Sequence, residues 1–155
     1  MIKVGITGKR NLSNFDIENL KQRIYEELYK IKQTDSSCIM FNSIAAGADQ
    51  LCAEIGISLG YELVCPLPFD DYRNDFLDVE LKAYDSLLSK AKKSIVVSNK
   101  KDTQKAYLTA GKYVAENCDI LIAVWDNKHQ LSGCGTEAVV KYAKKMKKEI
   151  IVISP

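Results

Sequence analysis

Short apolar runs alternate with longer amphipathic stretches along the whole chain of 155 residues. Most of the runs are rich in Ile and Val and show little strict alternation of apolar and polar positions. Such runs are typical of strands that are covered on both faces of a sheet. The predicted strands span residues 2–7, 39–45, 62–65, 94–98, 120–125 and 149–154.

Between these runs, apolar residues recur at steps of three and four, which predicts helices. The clearest apolar stripe consists of Ile17, Leu20, Ile24, Leu28 and Ile31. Ser13, with Asp16 three residues later, predicts a capping box at the start of this first helix. The later predicted helices span residues 48–59, 76–91, 103–117 and 135–147.

Strands that alternate regularly with helices imply right-handed crossovers and a parallel, doubly wound sheet. A chain of this length suits one domain and is too short for two. We therefore predict a single domain over residues 1–155, of the α/β class, with a Rossmann-like parallel sheet flanked by helices on both faces. The one irregular stretch, residues 66–74, predicts a long loop.

The composition narrows the choice of partners. The 22 basic and 20 acidic residues nearly cancel, giving a formal net charge of +2, which argues against a nucleic-acid or membrane partner. The five cysteines are scattered without a C-x-x-C pair, as is typical of reduced thiols in a cytoplasmic protein, and they indicate no metal site. The N-terminus predicts a strand and no signal peptide, and no apolar run approaches the roughly 20 residues of a membrane span.

Glycines next to polar residues follow three of the predicted strands. They occur in the segments T-G-K-R (7–10), A-G-A-D (46–49) and S-G-C-G-T (132–136). Glycine allows backbone N–H groups to approach an anion, and a following helix start favours a phosphate. The predicted ligand-binding residues are Thr7, Gly8, Lys9, Arg10, Gly47, Asp49, Ser132, Gly133, Gly135 and Thr136.

Each of these segments also has a plainer interpretation. A single glycine after a strand is commonly just a tight turn, and Gly133 with Gly135 and Thr136 suits a simple helix entry equally well. Neither G-x-G-x-x-G nor G-x-x-x-x-G-K-[ST] is present. The three segments nevertheless fall on the same edge of the predicted sheet, where open α/β sheets bind their ligands, and this favours one pocket.

Five motifs, in this order, resemble those of a known superfamily. They are G-I-T-G-K-R, A-x-G-A-D, L-P-F, C-D-x-L-I-A-V-W-D and G-x-G-T, at residues 5–10, 45–49, 67–69, 118–126 and 133–136. Together they span almost the whole chain and resemble the SLOG superfamily, which includes the Lonely Guy enzymes, DprA and nucleotide-sensing domains. The resemblance implies a Rossmann-like fold that binds nucleotides or their derivatives, with no further cofactor.

The resemblance also implies roles for particular residues. Gly133, Gly135 and Thr136 would contact phosphate, Gly8 and Arg10 would line the pocket, and Gly47 with Asp49 would lie near the ribose or the base. Lonely Guy enzymes carry P-G-G-x-G-T-x-x-E and an Arg-Lys pair. This chain has Leu131, Ser132 and Val139 in place of the Pro, a Gly and the Glu, and only Lys112 where the pair would be.

Cleavage of an N-glycosidic bond would therefore need another carboxylate. The candidates near the predicted edge are Asp126, Glu137 and Asp49. Asp126 and Asp49 equally suit turn formation or helix capping, and Glu137 suits the first turn of a helix. Tyr72 and Arg73, in the predicted loop, would cover a bound base or do nothing specific.

The leading hypothesis is a nucleotide-binding sensor or ligand-binding module. The first alternative is a nucleoside-monophosphate glycosidase of the Lonely Guy type or a related transferase, and the second is binding of single-stranded DNA, as in DprA. The only histidine, His129, lies in a polar segment, which favours solvent exposure over catalysis. The resemblance suggests a homo-oligomer, for which Tyr84, Leu87, Leu88, Tyr107 and Tyr113 are apolar enough, although they would suit the core equally well.

Overall fold

The structure, a computed structural model, describes residues 1–129, 133 and 135–155. The strands are β1 (Ile2–Gly8), β2 (Cys38–Phe41), β3 (Glu62–Leu67), β4 (Lys93–Val96), β5 (Ile120–Val124) and β6 (Glu149–Ile153). The helices are α1 (Ile17–Thr34), α2 (Ala48–Ser58), α3 (Asp78–Lys90), α4 (Thr103–Asn117) and α5 (Thr136–Lys145), with a 3-10 turn at Tyr72–Asp75. The predicted alternation of strands and helices is confirmed.

Within these residues the strands form one parallel sheet in the order β4-β3-β2-β1-β5-β6. From β1 the chain proceeds outward to β4, and α4 then returns it to β5 on the other side of β1. The strand order therefore reverses between β1 and β5. In open parallel sheets the carboxyl ends of two such strands border a crevice that commonly holds a ligand.

The two faces of the sheet carry separate apolar clusters. Val4 of β1 packs with α1, α2 and α3 on one face, whereas Leu121 of β5 packs with α5 and the C-terminal part of α4 on the other. Gly5 lies where α4 approaches β1, because a Cβ there would be 2.8 Å from Val114 Cγ1. This close approach brings α4 over the end of β1, and the predicted doubly wound α/β class is confirmed.

The first helix begins at a different cap from the predicted one. Asp16 is the N-cap of α1, and its Oδ1 accepts a hydrogen bond of 3.1 Å from the Asn19 N–H. Ser13 does not cap the helix, because its hydroxyl and its N–H both donate to Asn11 Oδ1, at 2.7 Å and 3.0 Å. The predicted capping box is therefore wrong, although the predicted helix is present.

The predicted loop at residues 66–74 is largely present, but its predicted start is wrong. Strand β3 continues through Pro66 to Leu67, and Tyr72 is buried in a cluster with Phe69, Phe76 and Tyr84. Tyr72 is consequently unavailable to stack on a ligand. Arg73 points away from the core and forms two hydrogen bonds of 2.9 Å with Asp85, so the suggestion that this pair covers a bound base is also wrong.

Candidate functional site

A cavity of about 390 Å³ lies at the switch point of the sheet. The end of β1, the segment that leads into α2, one side of α4 and the start of α5 form its walls. The predicted ligand-binding residues that line it are Thr7, Gly8, Lys9, Arg10, Asp49, Gly135 and Thr136. The three sequence segments thus contribute to one cavity, as expected from the shared edge of the sheet.

Gly47 and Gly133 occupy different positions. Gly47 does not line the cavity but caps α2 with φ 80°, and a Cβ on it would lie 2.2 Å from the Arg10 carbonyl oxygen. Gly133 has φ 69°, does not line the cavity, and has no heavy atom within 4 Å of the position of a Cβ. Ser132 lies outside the described residues. Gly47 therefore holds two backbone segments together rather than facing a ligand.

The end of β1 is fixed by its neighbours on both sides. The Lys9 N–H donates to the Val124 carbonyl at 3.1 Å, and the Lys9 carbonyl accepts from the Ala48 N–H at 3.0 Å. Gly8 has no space for a side chain, since a Cβ would be 2.6 Å from that of Ala48. The main chain of residues 8–10 is thereby positioned by β5 and by the first turn of α2.

Asp49 and Ser43 place two polar atoms without partners at the cavity. Asp49 is only 8% exposed, and its Oδ2 accepts a hydrogen bond from the Ala45 N–H at 3.3 Å. Its Oδ1 and the Ser43 Oγ are buried and have no hydrogen-bond partner among the described residues. We call these two atoms the acceptor pair. Leaving such atoms buried and unpaired is costly, so each of them needs a partner beyond the described residues, either a water or a ligand.

Burial changes the acidity of this carboxyl group. It raises the pKa of Asp49 from 3.8 to about 7, although the Ala45 N–H and the Arg10 charge both act in the opposite direction. A carboxyl group with such a pKa exchanges its proton near neutral pH. Asp49 is thus the one of the three carboxylate candidates whose pKa is raised toward neutrality.

A small hydrogen-bond network fixes the segment that carries the acceptor pair. The buried Asn42 donates from Nδ2 to the Asp49 carbonyl at 2.8 Å and accepts from the Ile44 N–H at 2.7 Å. Ile44, although β-branched, is held at φ 48°. A β-branched residue in the left-handed region is strained, by about 1–3 kcal/mol, and such strain is characteristic of functional segments.

The mouth of the cavity carries a basic side chain on an aromatic ring. The exposed Arg10 guanidinium lies 4.5 Å from the centroid of the Tyr107 ring, in cation–π geometry. The Tyr107 hydroxyl donates to Asp75, which fixes the ring, and Gln104 lies one turn earlier on the same side of α4. Arg10 therefore presents its planar hydrogen-bond donors at the opening.

Asp126 is engaged outside the cavity lining. The Lys9 ammonium donates to its Oδ2 at 2.9 Å, and the Lys128 N–H donates to its Oδ1 at 3.1 Å. The hydrogen bond from Lys9, followed by that from Lys128, lowers the pKa of Asp126. Asp126 therefore forms a turn and an ion pair, and much of the Lys9 charge is neutralised.

Glu137 is likewise engaged, in the first turn of α5. Its Oε1 lies 2.7 Å from His129 Nδ1 and 3.4 Å from the Lys141 ammonium. Burial raises the pKa of Glu137, but the hydrogen bonds to His129 and Lys141 outweigh it and the net shift is downward. His129 is exposed, as expected, and neither residue lines the cavity.

Solved structures share this fold. DprA from Streptococcus pneumoniae matches at a TM-score of 0.72 and 11% identity, over 99% of this chain and 50% of that chain. DprA from Helicobacter pylori, described for its binding of single-stranded DNA, matches at a TM-score of 0.65 and 17% identity, over 99% of this chain and 66% of that chain. The molybdenum cofactor carrier protein of Chlamydomonas reinhardtii matches at a TM-score of 0.58 and 17% identity, over 97% of this chain and 75% of that chain.

The chain shares the fold of these proteins, which supports the predicted resemblance to the SLOG superfamily at the level of the fold. No family model matches the sequence, and no curated protein matches it either. The chain spans only half of the pneumococcal DprA. At these identities the likeness concerns the fold alone.

The sequence did not indicate three side chains of this site, Ser43, Gln104 and Tyr107. Ser43 falls within the predicted strand at residues 39–45, whereas β2 ends at Phe41 and Ser43 lies beyond its carboxyl end, at the cavity. Gln104 and Tyr107 lie on the same side of α4 as Gly111 and Val114, where they line the cavity. A glutamine within an otherwise apolar helical stripe is the one signal that would have indicated a polar wall.

None of the helices within the described ranges is long and apolar enough to cross a membrane. The described residues contain no cluster of three or more His, Cys, Asp or Glu side chains arranged to hold a metal ion. Of the apolar residues considered for an oligomer interface, Tyr84 and Leu87 are buried in the core and Tyr107 lines the cavity.

Proposed function

We propose that this chain binds a nucleotide or a nucleotide-derived small molecule in the cavity, as a sensor or ligand-binding module. The observation that carries the proposal is the chemical asymmetry of the cavity. Arg10 and the start of α5 favour an anion, whereas the acceptor pair of Asp49 and Ser43 requires hydrogen-bond donors. A molecule that has a phosphate group and several hydroxyl or amino groups meets both requirements.

The phosphate would bind at the start of α5. Gly135 and Thr136 line the cavity at the point where the helix begins, and helix N-termini offer free N–H groups and a positive dipole end. Arg10 would add a forked contact, for which its guanidinium needs only to leave the Tyr107 ring.

The remaining walls suit the base and limit the ligand's size. Tyr107, Ala110, Gly111 and Val114 of α4 give an apolar surface with one aromatic ring. A cavity of about 390 Å³ lies near the lower end of the ~300–1,000 Å³ range of small-molecule sites, which favours a mononucleotide over a dinucleotide. Neighbours that carry a molybdenum cofactor or bind single-stranded DNA support the broader class of small-molecule and nucleotide ligands.

Titration calorimetry with nucleoside mono-, di- and triphosphates, cyclic nucleotides and ADP-ribose tests the proposal. We expect at least one of them to bind, and the Arg10→Ala variant to bind about 10- to 100-fold more weakly, because a charge-assisted hydrogen bond contributes about 1.5–3 kcal/mol. Arg73→Ala is the matched control, since Arg73 pairs with Asp85 away from the cavity.

Two results would contradict the proposal. The first is the absence of any binding tighter than millimolar, about 4 kcal/mol, across the whole panel. The second is equal loss of affinity in Arg10→Ala and Arg73→Ala. Strongly salt-dependent binding of an oligonucleotide, without binding of any mononucleotide, would instead favour the DprA-like alternative.

A second candidate function, hydrolysis of a nucleotide N-glycosidic bond, is favoured by Asp49 alone. Asp126 and Glu137 are held in ion pairs, whereas Asp49 lines the cavity with an unpartnered oxygen. Such a carboxylate can stabilise an oxocarbenium-like transition state or activate water. Free base should then accumulate from nucleoside monophosphates with the wild-type protein and not with Asp49→Asn. An unchanged chromatogram at high protein concentration for every base would remove this candidate.

A further inference from the structure

We infer that the acceptor pair of Asp49 and Ser43 selects ligands that carry a ribose with two neighbouring hydroxyl groups over their deoxyribose counterparts. This inference rests on the proposed function, since it concerns the same cavity. It assigns to two side chains a choice of sugar that neither the fold nor the resemblance determines.

Asp49 offers a single acceptor atom that has no partner among the described residues. Its Oδ2 is occupied by the Ala45 N–H at 3.3 Å, and only Oδ1 has no partner. A guanine edge, which has two parallel N–H donors, pairs best with both oxygens of a carboxylate. A single free oxygen suits a single donor, such as one hydroxyl group.

Ser43 lines the same cavity as Asp49. A serine hydroxyl can donate one hydrogen bond and accept others, and the Ser43 Oγ is buried without a partner. Two neighbouring hydroxyl groups match this combination. One donates to Asp49 Oδ1, and the other exchanges a hydrogen bond with Ser43. A carboxylate that accepts from a ribose hydroxyl also recurs in nucleotide-binding parallel sheets.

Hydrogen bonds hold the main chain of the segment that carries both side chains. Asn42 bonds to the main chain of both Asp49 and Ile44, and Gln50 donates to the Ile44 carbonyl at 3.4 Å and to that of Glu80 at 3.0 Å. The main chain on both sides of the acceptor pair is therefore fixed, and the Ala45 N–H holds the Asp49 carboxylate. A ligand that lacks one hydroxyl leaves a buried acceptor unpaired, and sites built on such contacts discriminate strongly.

The test compares matched sugars, so that the base does not enter. Ribose 5-phosphate is compared with 2-deoxyribose 5-phosphate, and AMP, GMP, CMP and UMP with their 2′-deoxy and 3′-deoxy forms, by titration calorimetry on the wild-type protein. We expect the ribose form to bind at least about tenfold more tightly in each pair that binds, about 1.4 kcal/mol. This comparison needs no variant and so does not depend on one that folds.

Variants then assign the effect to the acceptor pair. In Asp49→Asn the amide oxygen must take the place of Oδ2 to accept from the Ala45 N–H, which puts the NH₂ group where Oδ1 was. We expect the ribose-to-deoxyribose ratio to fall to about one in Asp49→Asn and to fall in part in Ser43→Ala. Glu62→Gln is the matched control, because Glu62 is exposed and pairs with Lys92 at the opposite end of β3.

The possible failures differ from one another. If nucleotides bind but ribose and deoxyribose forms bind equally, this inference is overturned and the proposed function stands. The inference is also overturned, and the proposed function stands, if the affinity depends on the base but not on the sugar. If no phosphorylated ligand binds at all, the proposed function fails as well.

Discussion

The Asp49→Asn variant is expected to gain stability relative to the wild-type protein as the pH rises, by about 2 to 3 kcal/mol between pH 5 and pH 8. Burial raises the pKa of Asp49 from 3.8 to about 7, so the folded protein holds this proton more tightly than the unfolded chain. The extra stability that this proton gives the folded wild-type protein is therefore fully present below about pH 4. It is lost as the pH rises through about 7. The loss amounts to about 1.4 kcal/mol per pH unit between the two pKa values.

Urea denaturation of both proteins at several pH values between 5 and 8, without ligand, measures this difference. Groups that are common to the two proteins cancel in the comparison, and Glu62→Gln, which removes an exposed carboxylate paired with Lys92, is the matched carboxylate-to-amide control. Parallel curves for the wild type and Asp49→Asn would mean that Asp49 stays ionised in the folded protein at pH 5.

A more stable variant that binds ligand less well would explain why a carboxylate occupies this position. An isolated buried charge reduces the stability of the folded state, and sites commonly retain such groups because function requires them. The strained Ile44 and the unpaired Ser43 Oγ lie in the same short segment. Unfavourable features are thus concentrated in one wall of one cavity.

The second large effect is expected for Gly47→Ala. The added Cβ would lie 2.2 Å from the Arg10 carbonyl oxygen and 2.7 Å from that of Lys9, at a residue whose φ is 80°. Both contacts are with main chain, so neither can be relieved by turning a side chain. We expect a loss of more than about 3 kcal/mol in urea denaturation, since the start of α2 must separate from the segment after β1.

Gly60→Ala is the matched control for this prediction. Gly60 also has a left-handed φ, 87°, but a Cβ there would meet only the end of the Lys32 side chain, at 3.6 Å. Its cost should therefore be that of backbone strain alone, about 1–2 kcal/mol. Equal losses in the two variants would show that the contact between Gly47 and the Arg10 main chain contributes nothing.

The sequence predicted the strands and helices well because each element carries its own signal. Buried parallel strands such as β1 and β5 are apolar on both faces, and the stripe of α1 keeps its spacing of three and four. The errors occurred where tertiary contacts decide. Tyr72 lies in a polar segment, yet it is buried because Phe69 and Tyr84 surround it.

For the candidate site, the sequence located the edge of the sheet but did not distinguish the carboxylates. Asp49, Asp126 and Glu137 all follow strands at that edge. Only the folded structure brings Lys9 to Asp126 and leaves Asp49 Oδ1 unpaired. These pairings join residues more than a hundred positions apart in one case, and no local pattern contains that information.

The contact between the main chains of residues 9–10 and 47–48 has a consequence for how such a domain acquires new specificity. Because this wall is held by carbonyl and N–H groups, the side chains of Lys9 and Arg10 can be exchanged without moving it. The position of this wall and its chemical preference are therefore set by different atoms. Such a separation makes the domain a suitable starting scaffold for laboratory evolution of biosensors, in which libraries at positions 9, 10 and 104 would retune recognition at little cost to folding.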